Sequence, residues 1–360
     1  MFSGSRPIVD SFASTFTNEN EPDAEAPVGV PCRVKVVTRG LALMLTVLLV
    51  GLNCLTQASP WAPAAFAASD WFSGSIRAMA LRTADGWLYG CSAEGKILVW
   101  NPDLSRVWVG GSQGVAIDRA ALTPDGTTLG VADADGVVTL WDLGKWRRRA
   151  DIPSQPARSS ALVFSRDSAT LATANGLGVR LWDVATANPG AGPRLDLPGV
   201  SCLAFDADGR RLAVGTKDGT VRLWDVAQGS QSVAFRAHPA LVSSLLFSRD
   251  GRVLATSSSL DNFARLWDLA TGRLLREWDA RSQIQVLAFA PGDRELATAG
   301  FDGSVRLWDV ATGESRWGFS AGDGPVTALA FSAEGTTLAC GGVGAIRLYR
   351  LDASSRPTSR

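Results

Sequence analysis

Apolar residues in the larger, C-terminal part of the chain fall in short alternating runs, each four to six residues long and bounded by polar turns, the pattern of half-buried strands. One group reads Ile284 to Phe289 (IQVLAF), Glu295 to Ala299 (ELATA), Ser304 to Trp308 (SVRLW) and Glu314 to Phe319 (ESRWGF). Turns at Pro291-Gly292-Asp293 and Asp302-Gly303 separate the first three runs. Asp-Gly pairs, here and at Asp218-Gly219, supply the positive φ that a two-residue hairpin turn requires. The group recurs. An aromatic anchor stands at Trp100, Trp141, Trp182, Trp224, Trp267, Trp308 and Tyr349, in steps of 41, 41, 42, 43, 41 and 41. Each copy reads as three or four strands, and seven copies fill residues 71 to 352. A single four-stranded sheet cannot bury both of its faces, so the copies must stack, and radial closure removes their long exposed edges.

The anchor is followed by Asp at Trp141-Asp142, Trp182-Asp183, Trp224-Asp225, Trp267-Asp268 and Trp308-Asp309, while the first and last copies have Trp100-Asn101 and Tyr349-Arg350. With a period near 40, this resembles the WD-repeat (β-transducin repeat) family of β-propellers. The resemblance implies an all-β, seven-bladed β-propeller of four-stranded antiparallel blades over residues 66 to 352. It also implies a buried tetrad in the fifth copy, where the chain's one histidine stands in Ala237-His238. Its members are expected to be His238, Asp261, Trp267 and Ser257, with Thr256 the alternative because a one-residue insertion shifts the count. Turn acids persist at Asp135, Asp218 and Asp302, whereas Glu94, Gly176 and Val343 occupy the matching places elsewhere.

After Arg350 the polar, proline-interrupted tail, residues 353 to 360, is too poor to supply the last outer strand. The family closes its ring with a strand from the N-terminal side, and Phe66 to Ser73, with Phe66, Trp71 and Phe72, is expected to pair with blade seven. Residues 1 to 40 are expected to be a disordered cytoplasmic segment, being polar and acid-rich without apolar period over most of their length. Leu41 to Leu55 (LALMLTVLLVGLNCL) is uncharged and follows Arg33, Lys35 and Arg39. Residues 41 to 56 are expected to form one hydrophobic helix, a signal anchor or signal peptide contacting the membrane. Residues 57 to 65 then form a linker, and the basic flank places the propeller outside. Ala65-Phe66-Ala67 has the small-x-small form of a cleavage site, and cutting there is expected to leave Ala68 to Ser73 for closure. The alternative is a cytosolic protein with residues 41 to 55 buried in a complex.

Composition narrows the chemistry. Thirty-five Lys and Arg balance 35 Asp and Glu, which argues against nucleic-acid binding through counterion release. One histidine and five cysteines without a CxxC pair leave no expected metal or cofactor. Enzyme action is disfavoured, since no nucleophile elbow is seen and the one imidazole falls at the tetrad. Cys91, Cys202 and Cys340 read as small core residues. Arg180, Arg222, Arg265, Arg306 and Arg347, each two residues before an anchor, read as partners of turn acids rather than as an anion-binding ring.

A recognition surface remains. Carrying the family's docking positions over gives Lys217, Leu260 and Phe301 before the turn acids and Leu241, Arg281 and Gln283 in the preceding loops. Apolar side chains beside arginine have the composition of a binding hot spot. The expectation is a monomeric, non-enzymatic scaffold binding a protein partner at the membrane or cell envelope, with a propeller enzyme using its central channel as the alternative.

Overall fold

The structure, a computed structural model, describes residues 65–67, 76–81, 87–92, 94–101, 107–112, 114–152, 159–190, 194–342 and 346–351. Their strands form seven antiparallel sheets, the blades of a propeller. We letter the strands of a blade a to d from the axis outward. Blade four is representative, with a Val200–Phe205, b Arg211–Thr216, c Thr220–Asp225 and d Ser230–Arg236.

Burial follows position in the blade. Strand b is covered on both faces by neighbouring blades, so it reads as a run of apolar and small residues rather than an alternation, as in Leu171–Ala174 and Leu212–Gly215. Strand d alternates or lies exposed, as in Ser230–Arg236. The core is therefore a series of seams. Cys202, Ala213, Val221 and Leu223 of blade four meet Val242, Leu245 and Leu254 of blade five in one of them. Burying a side chain such as Leu254, 0% exposed, stabilises the fold by roughly 1.5–3 kcal/mol.

Strand a carries a register shift about its second residue in six blades, for example between Val200 and Cys202 and between Val242 and Ser244. Such a bulge re-aims the extra residue. Here it laces blades together, because the hydroxyl of Ser201 donates to the Val242 carbonyl (2.7 Å) and that of Ser243 to the Ile284 carbonyl (2.9 Å).

Two expectations are corrected. Closure does come from the N-terminal side, and the described strand that pairs with blade seven is Ala65–Ala67, which begins one residue before the expected Phe66 to Ser73, whose residues 68 to 73 lie outside the described residues; Ala65, Phe66 and Ala67 lie opposite Tyr349, Leu348 and Arg347. Blade three, secondly, is not four-stranded among the described residues. Its strands are Ala161–Phe164, Thr170–Asn175 and Gly178–Asp183, with isolated bridges from Val179 to Leu195 and from Trp182 to Pro189 beyond them. The described part of the outer segment holds Pro189 and Gly190, which weaken a ladder by lacking an N–H or by freeing the backbone.

The expectations for residues 1 to 40, the apolar run 41 to 56, Trp71, Phe72 and the tail 353 to 360 lie outside the described residues. Among the described residues, no helix is long and apolar enough to cross a membrane.

Candidate interaction face

Each blade sends its b–c turn and the loop leading from the previous strand d to one end of the ring, here called the upper face. Backbone hydrogen bonds join turn to loop: Lys217 N–H donates to the Gly199 carbonyl (2.8 Å) and Phe301 N–H to the Gln283 carbonyl (2.9 Å). Gly219 shows how tight this junction is. Its φ is +86°, and an added Cβ would stand 2.0 Å from the His238 carbonyl oxygen, so no other residue fits. In blade five Asn262 takes the positive φ (62°) instead, which its short polar side chain tolerates.

Below the loop before blade five lies the tetrad, and Thr256 rather than Ser257 is its hydroxyl. Thr256 Oγ1 is 2.8 Å from His238 Nε2 and accepts from Trp267 Nε1 at 3.0 Å, while His238 Nδ1 lies 2.8 Å from Asp261 Oδ2. Since a carboxylate only accepts, Nδ1 donates to Asp261. The register explains the choice. Trp267 pairs with Leu254, so Thr256, two residues on, faces the indole diagonally, whereas Ser257 points to the other side and bonds the Ser243 hydroxyl at 3.0 Å. The same diagonal joins Trp182 to Thr173 (2.8 Å) and Trp308 to Thr298 (3.0 Å). In blade four that position is Val214, opposite Arg222 and two residues past the Trp224 partner Leu212, and the Trp224 indole N–H is buried without a partner.

Burial alone would raise the Asp261 carboxyl, but hydrogen bonds from His238, Arg265 and the Phe263 N–H outweigh it and hold the group below its ordinary value. Arg265 Nη1 also reaches the Ala237 carbonyl (3.2 Å). Arg306 and Arg347 bond the equivalent carbonyls of Ala280 and Ala321. Only Arg265 bonds its turn acid as expected; Arg306 and Arg347 are struts under the loops, and Asp302 caps the Ser304 N–H instead.

Lys217, Arg281 and Gln283 are exposed and Leu241 half-buried. Leu260 and Phe301 are exposed by 64% and 56%. These six lie on one arc of the upper face, over blades four to six. Two further apolar residues went unnoticed in the sequence: Leu177, in the b–c turn of blade three, and Val115, in the loop before blade two, 50% and 40% exposed. Leu177 stands in the turn just after Gly176, the place of the acid in other copies, and the absence of an acid there hid the turn. The remaining exposed large apolar residues, Val109, Leu274 and Leu275, lie on outer strands, so none described belongs to a turn of the lower face.

The lower face is built from charged turns. A cleft of ≈ 570 Å³ there, between blades six and seven, is lined by Glu295, Asp309 and Arg316, whose charges are committed to one another. Burial raises the thiols of Cys91 and Cys202 to about 12 and that of Cys340 above its ordinary value, so all three stay protonated. Among the described residues no three His, Cys, Asp or Glu are grouped to hold a metal.

A family model described as "WD domain, G-beta repeat" matches residues 196–225, 229–268 and 272–309, each ending on a Trp-Asp pair. A "WD repeat-containing protein SL1-17" of Schistosoma mansoni is 29% identical over 134 residues, 36% of this chain and 44% of that protein. A "Pre-mRNA-processing factor 19 homolog 2" of Arabidopsis thaliana is 37% identical over 73 residues, 20% of this chain and 14% of that protein. The chain thus spans less than half the length of either relative. Among solved structures, a chain of a mitotic checkpoint complex superposes with a TM-score of 0.72 at 22% identity, over 88% of this chain and 99% of that one, a likeness of fold.

Proposed function

From a chain that is a WD-repeat protein folded as a seven-bladed propeller, we propose a non-enzymatic scaffold that binds a protein partner on its upper face. One observation carries this reading: Val115, Leu177, Leu260 and Phe301, four of the seven exposed large apolar side chains among the described residues, all lie in turns and loops of that face. Apolar side chains gathered on one face and set among Lys217, Arg281 and Gln283 form the core and rim of an interface. The mitotic checkpoint complex belongs to the structural neighbour; the shared repeat supports only the class of activity.

The site of action that the sequence favours is the membrane or cell envelope, with the propeller extracytoplasmic. Support comes from Arg33, Lys35 and Arg39 ahead of the uncharged run Leu41 to Leu55. Fractionation with protease accessibility in intact cells tests it, and a protease-shielded, freely soluble full-length protein would contradict it.

The face is tested by affinity capture from membranes with the wild type and with Leu260→Asp plus Phe301→Asp. Charge placed in a buried hot spot costs about 2 kcal/mol or more per site, so specific partners should be lost while the melting temperature holds. Recovery of the same partners by both proteins would remove this face from consideration.

A further inference from the structure

We infer that the folded propeller retains the chain upstream of Ala68, because cleavage after Ala67 and closure of the ring exclude each other. Ala65-Phe66-Ala67 has the small-x-small form that a signal peptidase reads. The same three residues are the outermost strand of blade seven, whose sheet runs from Ala65–Ala67 through Ile346–Arg350 and Thr337–Gly342 to Val326–Phe331.

A protease takes its substrate as an unpaired, extended segment, and in the closed ring this segment lies in a ladder with Arg347, Leu348 and Tyr349. Cutting must therefore precede closure. A cut after Ala67 also takes the whole strand away with the leader and leaves Ile346–Arg350 as an open edge. Residues 352–360, DASSRPTSR, are polar and broken by Pro357. The earlier expectation that cleavage leaves the closing strand in place is thus reversed: the residues that would be lost are the ones that pair.

The consequence deepens the envelope reading and rests on it. Of the two fates open to an exported chain, release and attachment, the fold excludes release by a cut after Ala67 and leaves attachment, or a cut upstream of Ala65. Only residues 57–64 separate the apolar run from the closing strand, a span of at most about 30 Å when fully extended, so blade seven is the part of the ring held nearest the membrane.

The test is a matched pair of cuts in the full-length chain. A tobacco etch virus protease site is inserted between Ser59 and Pro60 in one protein and between Ala67 and Ala68 in the other, and each is cut in isolated membranes. The upstream cut should release a propeller whose melting temperature equals that of the uncut protein. The downstream cut should lower it by several degrees or cause aggregation. Equal melting temperatures after the two cuts would overturn the inference. Independently of any insertion, N-terminal sequencing of the unmodified protein should give a start upstream of Ala65; a soluble, folded propeller beginning at Ala68 would overturn it as well. If the uncut chain never sediments with membranes, the envelope reading fails, and the two cuts still report on the closing strand.

Discussion

The Thr256 hydroxyl lies between the buried imidazole of His238 and the half-buried indole of Trp267, at 2.8 and 3.0 Å. Replacing it by an isosteric apolar group leaves His238 Nε2 and Trp267 Nε1 without this partner, while His238 Nδ1 keeps Asp261. Thr256→Val should therefore cost about 2–3 kcal/mol in a denaturant titration, at the upper end for a lost buried hydrogen bond, and Ser257→Ala clearly less. If Ser257→Ala were the costlier change, the diagonal assignment would be wrong. The same geometry makes a constructive prediction. Val214 is 0% exposed and occupies the threonine position beside the unpartnered Trp224 indole. Val214→Thr should be neutral or stabilising by about 1 kcal/mol, whereas Val221→Thr, equally buried with no such donor beside it, should be destabilising; the midpoints of the two variants decide. This part of the tetrad was only half legible. His238, Asp261 and Trp267 stood out by residue type, but choosing between adjacent hydroxyls requires the strand register, which the inserted residue before Asp261 obscured.

At the scale of the element, the repeated aspartates prove to be turn caps. The Asp of the Trp-Asp pair accepts from a backbone N–H three residues on in blades two to six, as in Asp183 with Thr186 (2.8 Å) and Asp309 with Thr312 (2.7 Å). The b–c turns use Asp218 and Asp302 likewise, and Asn175 does the same work in blade three without a charge. Hydrogen bonds from Ser165, Thr216 and the Arg252 N–H are the largest influences on Asp167, Asp218 and Asp250, and hold each below the ordinary 3.8. A depressed carboxyl stabilises the fold above its unfolded value and loses that contribution as pH falls through the folded one. The melting temperature should therefore be flat from pH 7 to about 5 and drop below about pH 4, less steeply in Asp218→Asn; a flat profile down to pH 2 would contradict this. Strand count and period were readable because alternation and turn residues repeat. That blade three has three strands among the described residues was not, because its proline-glycine segment still keeps the anchor spacing.

Across the whole molecule, the ring treats its ends differently. Apolar side chains gather on the upper face, and five of the six residues chosen there from the sequence are exposed, Lys217, Arg281 and Gln283 together with Leu260 and Phe301, while Leu241 is half-buried. What could not be read was how far the patch extends, since Leu177 and Val115 belong to copies whose turns have drifted from the repeat. The closing strand has a further consequence, one of timing. Ala65 and Tyr349 pair across about 280 residues of chain. Local blades can form as their hairpins are made, each from neighbours in sequence, but the contact that completes the circle has to wait for blade seven. Until then blade seven has an open edge and blade one an uncovered face, so the nascent protein passes through a long interval in which its two ends are both exposed. Any factor that shields the chain during synthesis would act in that interval, and a slow final phase in refolding, set by the search of one end for the other, is the kinetic mark of a ring sealed in this way.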